Sequence, residues 1–132
     1  GVAGFPNLLT VNGPCSPALM TNVPAAIEHD VEWISDCIEF LERNGHTSIE
    51  PTPEAQDDWV QHVADTVAGT LFPLADTWWS GANIPGKPRT FMPYVAGCGR
   101  YRREAEDVAA RRSAGSMLAP VIHEGVDDAV VA

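Results

Sequence analysis

Two adjacent indoles and two cations sit on a stretch that cannot be one continuous helix. Trp78 and Trp79 are followed by Lys87 and Arg89, with Pro73, Pro85 and Pro88 interspersed. Proline lacks the N–H and clashes with the preceding turn, and Gly81 and Gly86 allow dihedrals that other residues avoid. A long irregular loop in a compact domain is usually functional or disordered, and disordered segments are poor in aromatics. Rings of this size on a loop need something flat or apolar to lie against. Lys87 and Arg89 can meet an anionic group such as a phosphate. These residues predict a lid that closes on a ligand with an aromatic part and a charged part. The same spacing equally allows a wall loop whose tryptophans belong to the core.

Other reactive side chains carry weaker signals. Asn12-Gly13-Pro14 ends the apolar run Leu8–Val11. A Gly-Pro bend at the carboxyl end of a strand lets backbone approach a flat ring closely, and it also serves as an ordinary strand-to-helix turn. Cys15, Cys37 and Cys98 are odd in number and lack metal-ligand spacing, so reduced thiols in a cytosolic protein are expected. His62 has no second ligand at helical spacing, so no metal site is predicted. His29 reads as a surface histidine. Glu28, Asp30, Glu32, Asp36, Glu39 and Glu42 read as the solvated face of an amphipathic helix and receive no catalytic role. Gly97-Cys98-Gly99 lacks the third glycine of a dinucleotide-binding turn, because Arg102 stands in its place. Arg102 and Arg103 could face a cofactor or form surface ion pairs.

Taken in order, these pieces resemble the Baeyer–Villiger flavin monooxygenases of the cyclohexanone and phenylacetone type. Trp78-Trp79-Ser80-Gly81-Ala82-Asn83-Ile84-Pro85-Gly86-Lys87 is similar to that family's C-terminal loop. Gly4-Phe5-Pro6-Asn7-Leu8 with Asn12-Gly13-Pro14 resembles the return of the chain to the flavin domain. Ile27-Glu28 through Val31-Glu32-Trp33-Ile34 resembles the following helix. Leu71-Phe72-Pro73 and Tyr94-Val95-Ala96-Gly97 with Tyr101-Arg102 extend the match. The tail beyond about residue 116 is not clearly matched.

The resemblance implies FAD and NADP as cofactors, with a ketone and molecular oxygen as substrates and an ester or lactone as product. It implies that Trp78 reaches the NADP side of the site, and that Asn83 and Lys87 belong to a loop that orders with cofactor binding. It places Gly13, Pro14 and Val23 beside the cofactors and Leu19 and Met20 in the substrate pocket. Trp79 receives no role. The glycine-rich cofactor motifs and the active-site arginine of the family are absent here and would come from a missing N-terminal part. The alternative is a non-catalytic binding or assembly fragment that lacks the enzyme core.

The elements that must position these residues follow from composition and periodicity. The chain has 132 residues and 45% apolar residues, one domain's worth. Its formal net charge of -10 argues against sequence-independent binding to nucleic acid. The charge is uneven: residues 1–86 carry twelve acids and one base, a net -11, and residues 87–132 carry seven bases and six acids, a net +1. No signal-peptide pattern or membrane-length apolar run is visible, so a cytoplasmic protein is expected. Leu8–Val11 predicts a buried strand. Asn22 or Thr21 caps a helix with Pro24 in its first turn and an inward stripe of Ile27, Val31, Ile34, Ile38 and Leu41. Asn44-Gly45 stops it. Ser48–Glu50 is extended. Thr52-Pro53 opens a second helix with Trp59, Val63 and Val67 inward. Thr90–Val95 predicts a strand. Arg100–Arg112 predicts a third helix with Tyr101, Ala105 and Val108 inward, and a late strand and loose tail follow. The expected fold is an α+β fragment: three helices, a few short strands and long loops. In a whole enzyme it would form part of an α/β, Rossmann-like FAD/NAD(P)-binding domain. Residues 1–115 would belong to that domain, with a mobile lid at 74–90, and 116–132 would be the tail.

Overall fold

The computed structural model describes residues 1–17, 21–113 and 121–124. Among these residues there are three α-helices, as the periodicity predicts: α1 (Val23–Arg43), α2 (Pro53–Ala68) and α3 (Cys98–Ser113). Two short strands, β1 (His46–Glu50) and β2 (Val121–Glu124), pair antiparallel, with Ile49 opposite Ile122 and an irregularity between His46 and Ser48. β2 is the predicted late strand. The rest of the proposed tail lies outside the described residues.

The helix ends follow local chemistry. The Asn22 side chain accepts from Ala25 N at the start of α1, with proline in the first turn. Thr52 Oγ1 accepts from Ala55 N at 3.1 Å to cap α2. Gly45 leaves α1 with φ 68°, a conformation that glycine adopts without steric cost. α3 begins two residues earlier than predicted, directly after Gly97, whose φ is 88°.

Two predicted strands are not strands. Leu8–Val11 is an irregular stretch among the described residues, ending in a bend, with Leu8 and Val11 both exposed. Thr90–Val95 is also irregular, although it keeps a ladder of backbone bonds. Pro93 has no N–H to donate there, which interrupts regular pairing.

The inward face of α1 is also corrected. Its buried residues are Ala26, His29, Asp30 and Cys37. The predicted core residues Ile27, Val31 and Ile38 are 37%, 47% and 48% exposed. α1 carries apolar residues on two faces, and periodicity alone did not say which one meets α3. Contact falls on the face from which Trp33 Nε1 donates to Ala105 O at 3.0 Å. Thus His29 is a buried histidine with its ring edge-on to Tyr101, and Asp30 is not part of the solvated face. On α2 the prediction holds: Val63 and Val67 are buried, and Trp59 is half-buried. On α3, Tyr101 and Ala105 are half-buried as expected, whereas Val108 is exposed.

An aromatic cluster forms the core between α2 and α3. Tyr94 is fully buried and stacks on Trp59, with centroids 5.8 Å apart and planes 5° from parallel. Tyr101 meets Tyr94 edge-on at 5.6 Å. Offset and edge-on aromatic pairs stabilise by about 0.5–1.5 kcal/mol beyond their area burial.

Candidate functional site

Two irregular stretches meet to make a cleft. The first is the turn at residues 12–16. Asn12 and Cys15 adopt positive φ, 51° and 66°, which non-glycine residues rarely do. Ser16 N and Oγ both donate to Gly13 O, closing the turn on itself. The second stretch is Met92–Tyr94. Cys15 N donates to Met92 O at 2.8 Å, and Tyr94 N donates to Ser16 O at 2.9 Å. The two stretches are therefore zipped by backbone.

The tryptophan loop folds over this pair. Trp78–Ser80 forms a single 3-10 turn that ends at Gly81, with φ 74°. Met92 N donates to Trp79 O and Thr90 N to Ser80 O, tying the loop back onto the extended stretch. The resulting cleft has a volume of about 230 Å³. Asn12, Gly13, Pro14 and Ser16 line it on one side, and Trp78, Trp79, Met92 and Pro93 on the other. A neighbouring cleft of about 320 Å³ is lined by Ser80, Gly81, Lys87, Pro88, Thr90 and Met92.

The two tryptophans divide their work. Trp79 is half-buried, packed between Phe72 and Phe91 at centroid distances of 6.1 and 6.0 Å. Trp78 lies edge-on to Trp79 at 5.6 Å and is 62% exposed. One ring anchors the loop and the other is presented at the cleft.

Of the residues predicted from the sequence, Gly13, Pro14 and Trp78 are brought together in the first cleft. Lys87 lines the second, its aliphatic stem lying over Gly81. Asn83 is exposed and Val23 half-buried, and neither lines a cleft. Leu19 and Met20 lie outside the described residues. Arg89 pairs with Asp76 on the surface. Among the described residues no group of histidines, cysteines and carboxylates could hold a metal ion.

Sequence reasoning missed the carboxylate that fastens the cleft to the helices. Glu104 of α3 accepts from Tyr94 Oη at 2.8 Å and from Arg100 Nε at 2.7 Å, and His62 Nε2 of α2 lies 3.2 Å away. Burial works to raise the Glu104 pKa, but hydrogen bonds from Tyr94, Arg100 and His62 overcome it and hold the carboxyl below its ordinary value. Burial, then the hydrogen bond to Glu104, pushes the Tyr94 phenol up to about 12. In the sequence Glu104 is only one acid among arginines, so no local signal marks it.

This cluster predicts a defined acid response. A depressed carboxyl pKa contributes stability above 4.5, the ordinary value, and loses it as pH falls through the lower folded value. Melting of Glu104→Gln against pH should therefore show a shallower acid limb than the parent. At neutral pH the parent should lead by about 1–3 kcal/mol. The reason is that the neutral amide weakens the charge-assisted bonds from Tyr94 and Arg100 and turns an NH2 group toward a donor. Parallel acid limbs would show that Glu104 does not stabilise through its charge.

No family model matches the chain. Individual relatives do match. The chain is 49% identical over 98 residues to a Baeyer–Villiger monooxygenase from Pseudooceanicola batsensis, covering 74% of this chain and 18% of the relative. It is 46% identical over 101 residues to cyclohexanone 1,2-monooxygenase from an Acinetobacter species, covering 76% and 18%. Among solved structures, cyclohexanone monooxygenase from Rhodococcus sp. Phi1 bound to NADP+ superposes with a TM-score of 0.82 at 41% identity, covering 94% of this chain and 22% of that one. The chain thus spans about a fifth of the length of the curated relatives it matches. By sequence and by fold it is a segment of the Baeyer–Villiger monooxygenase family.

Proposed function

We propose that the chain is the C-terminal, lid-bearing segment of an FAD- and NADPH-dependent enzyme. That enzyme would insert one oxygen atom of O2 into a ketone to give an ester or lactone. The flavin and the nicotinamide would supply the redox chemistry. The observation that carries the reading is the meeting of Gly13-Pro14 with the Trp78 ring across one cleft, in a segment 41% identical to an NADP+-bound relative. The cleft suits a flat apolar ring in its chemistry. Its walls are mostly proline, methionine and indole, with few polar groups, as ligand pockets usually are. Beside it, Thr77 Oγ1 and Trp79 Nε1 are buried without a protein partner among the described residues, so hydrogen-bonding capacity is in reserve there.

On this reading each residue has a task. Gly13 and Pro14 offer a rigid edge against which a ring can lie. Trp78 covers the opposite face, Asn83 belongs to the part of the loop that orders with NADP, and Lys87 faces phosphate from the adjoining cleft. Val23 sits beside the cofactors at the head of α1, and Leu19 and Met20 line the ketone pocket. Closing Trp78 excludes water. Residues 74–90 act as the lid of a flavin domain that includes residues 1–115. We also take the enzyme to work in the cytoplasm. In keeping with this, no described helix is long and apolar enough to cross a membrane.

The test is the purified enzyme carrying this segment together with the upstream sequence. It should hold FAD, consume NADPH faster when a cyclic ketone is added, and yield the lactone by mass spectrometry. Flavin-free protein with no ketone-dependent NADPH use would overturn the proposal. The exposed stripe of Ile27, Val31 and Ile38 favours a second reading, a fragment that acts only by associating with another chain. Sedimentation of the 132-residue chain as a monomer at high concentration would count against that reading.

A further inference from the structure

Asp30 is 7% exposed, and among the described residues its carboxylate takes hydrogen bonds but no ion pair. A buried carboxylate is costly unless its oxygens are satisfied. Here Oδ2 accepts from Asn12 N at 2.7 Å and Oδ1 from Tyr101 Oη at 3.3 Å. The first donor belongs to the turn that lines the cleft, and the second to α3. α1 therefore grips the turn directly and is itself braced from α3. The turn needs a grip, because Cys15 holds a left-handed conformation unfavourable for an L residue, while Asn12 is of a type that tolerates it. Such strain persists only where the surroundings over-determine it. The bonds from Cys15 N and Tyr94 N tie the turn to the facing loop, so Asp30 supplies the tie to the helical scaffold.

We propose that Asp30 is a positioning residue of the cleft: its carboxylate fixes the Asn12–Ser16 turn, and with it the edge formed by Gly13 and Pro14 on which the cofactor ring lies. The proposal rests on the reading of the cleft as a cofactor site. Asp30 touches no cofactor; it acts through the turn.

The test compares Asp30→Ala and Asp30→Asn, the latter keeping an oxygen that can accept from Asn12 N. Hydrogen exchange at the Asn12 amide reports the grip, and the rate of flavin release from the holoenzyme reports the cleft. Asp30→Ala should lose Asn12 protection and release flavin faster by about tenfold or more each, the scale of one charge-assisted hydrogen bond. Asp30→Asn, which keeps the acceptor but loses its charge, should fall between Asp30→Ala and the parent in both. Unchanged Asn12 protection in Asp30→Ala would overturn the proposal. So would lost protection with unchanged flavin release, if Gly13→Ala accelerates release; the cleft reading would then survive alone. If Gly13→Ala and Trp78→Ala also leave release unchanged, the cleft reading fails and the proposal with it. Should Asp30→Ala not fold, Asp30→Glu, which keeps the charge but moves the acceptor by one methylene, is read by the same criteria.

Discussion

Trp59→Ala is expected to destabilise the fold by about 3 kcal/mol, while Trp78→Ala costs it less than about 1 kcal/mol and impairs turnover instead. The difference follows from where each ring stands. Trp59 lies on α2 and stacks on Tyr94 at 5.8 Å, with His62 and Tyr101 at 5.4 and 6.1 Å. Removing it opens the aromatic core and loosens Tyr94, whose backbone is bonded to the cleft turn. Trp78 lies on a single 3-10 turn, is 62% exposed, and has Trp79 as its aromatic neighbour. Lids belong to the low-stability end of a structure, so its loss should scarcely change melting. In the enzyme to which we assign the segment, Trp78→Ala should raise the NADPH requirement and divert reducing equivalents to hydrogen peroxide, because the cleft no longer excludes water. Melting curves beside coupled-turnover assays decide it. If Trp78→Ala melts as early as Trp59→Ala and its coupling is normal, Trp78 is core and the loop is no lid.

The helices were legible in the sequence because caps and periodicity are local. Asn22, Thr52 and Gly45 act within a few residues of where they stand. The orientation of α1 was not legible. Its Ile-Val stripe and its Ala26-His29-Asp30-Cys37 face are both plausible cores, and contact with α3, some seventy residues on, decides between them. The strands at Leu8–Val11 and Thr90–Val95 failed for a related reason. An apolar run specifies a strand only when a neighbour supplies backbone partners, and the pairing found here is sparse and broken by Pro93. In the candidate site, the residue types that stand out by themselves were found: paired tryptophans, Gly-Pro and a lysine after glycine. Asp30 and Glu104 were not, because a carboxylate within an acidic or basic helix looks solvated until the fold buries it.

Gly13→Ala is expected to damage the cleft far more than the fold. A Cβ at position 13 would stand 2.6 Å from Thr10 Oγ1 and 2.7 Å from Thr10 Cβ, closer than atoms can approach. Thr10 Cβ is attached directly to backbone, so a rotamer change cannot clear it. The turn cannot yield freely either, being held by Asp30 at Asn12 N and by Met92 O at Cys15 N. Something must shift, and overpacking of this kind costs about 1–3 kcal/mol. Thr10 is exposed, so much of the strain can relax outward, and melting should fall toward the low end of that range. Function should fall further, because Gly13 lines the cleft and a misplacement of about 1 Å can cost about a hundredfold in rate. We expect NADPH-dependent turnover to drop between about tenfold and a hundredfold, with weaker flavin retention. The companion variant is Gly13→Ala with Thr10→Gly, which removes both clashing atoms. Recovery of melting and turnover together would assign the requirement for glycine to Thr10. Recovery of melting alone would assign it to the close approach of a ligand at the cleft wall. If Gly13→Ala by itself melts and turns over like the parent, the turn is not the rigid edge described above, and the role given to Gly13 and Pro14 falls.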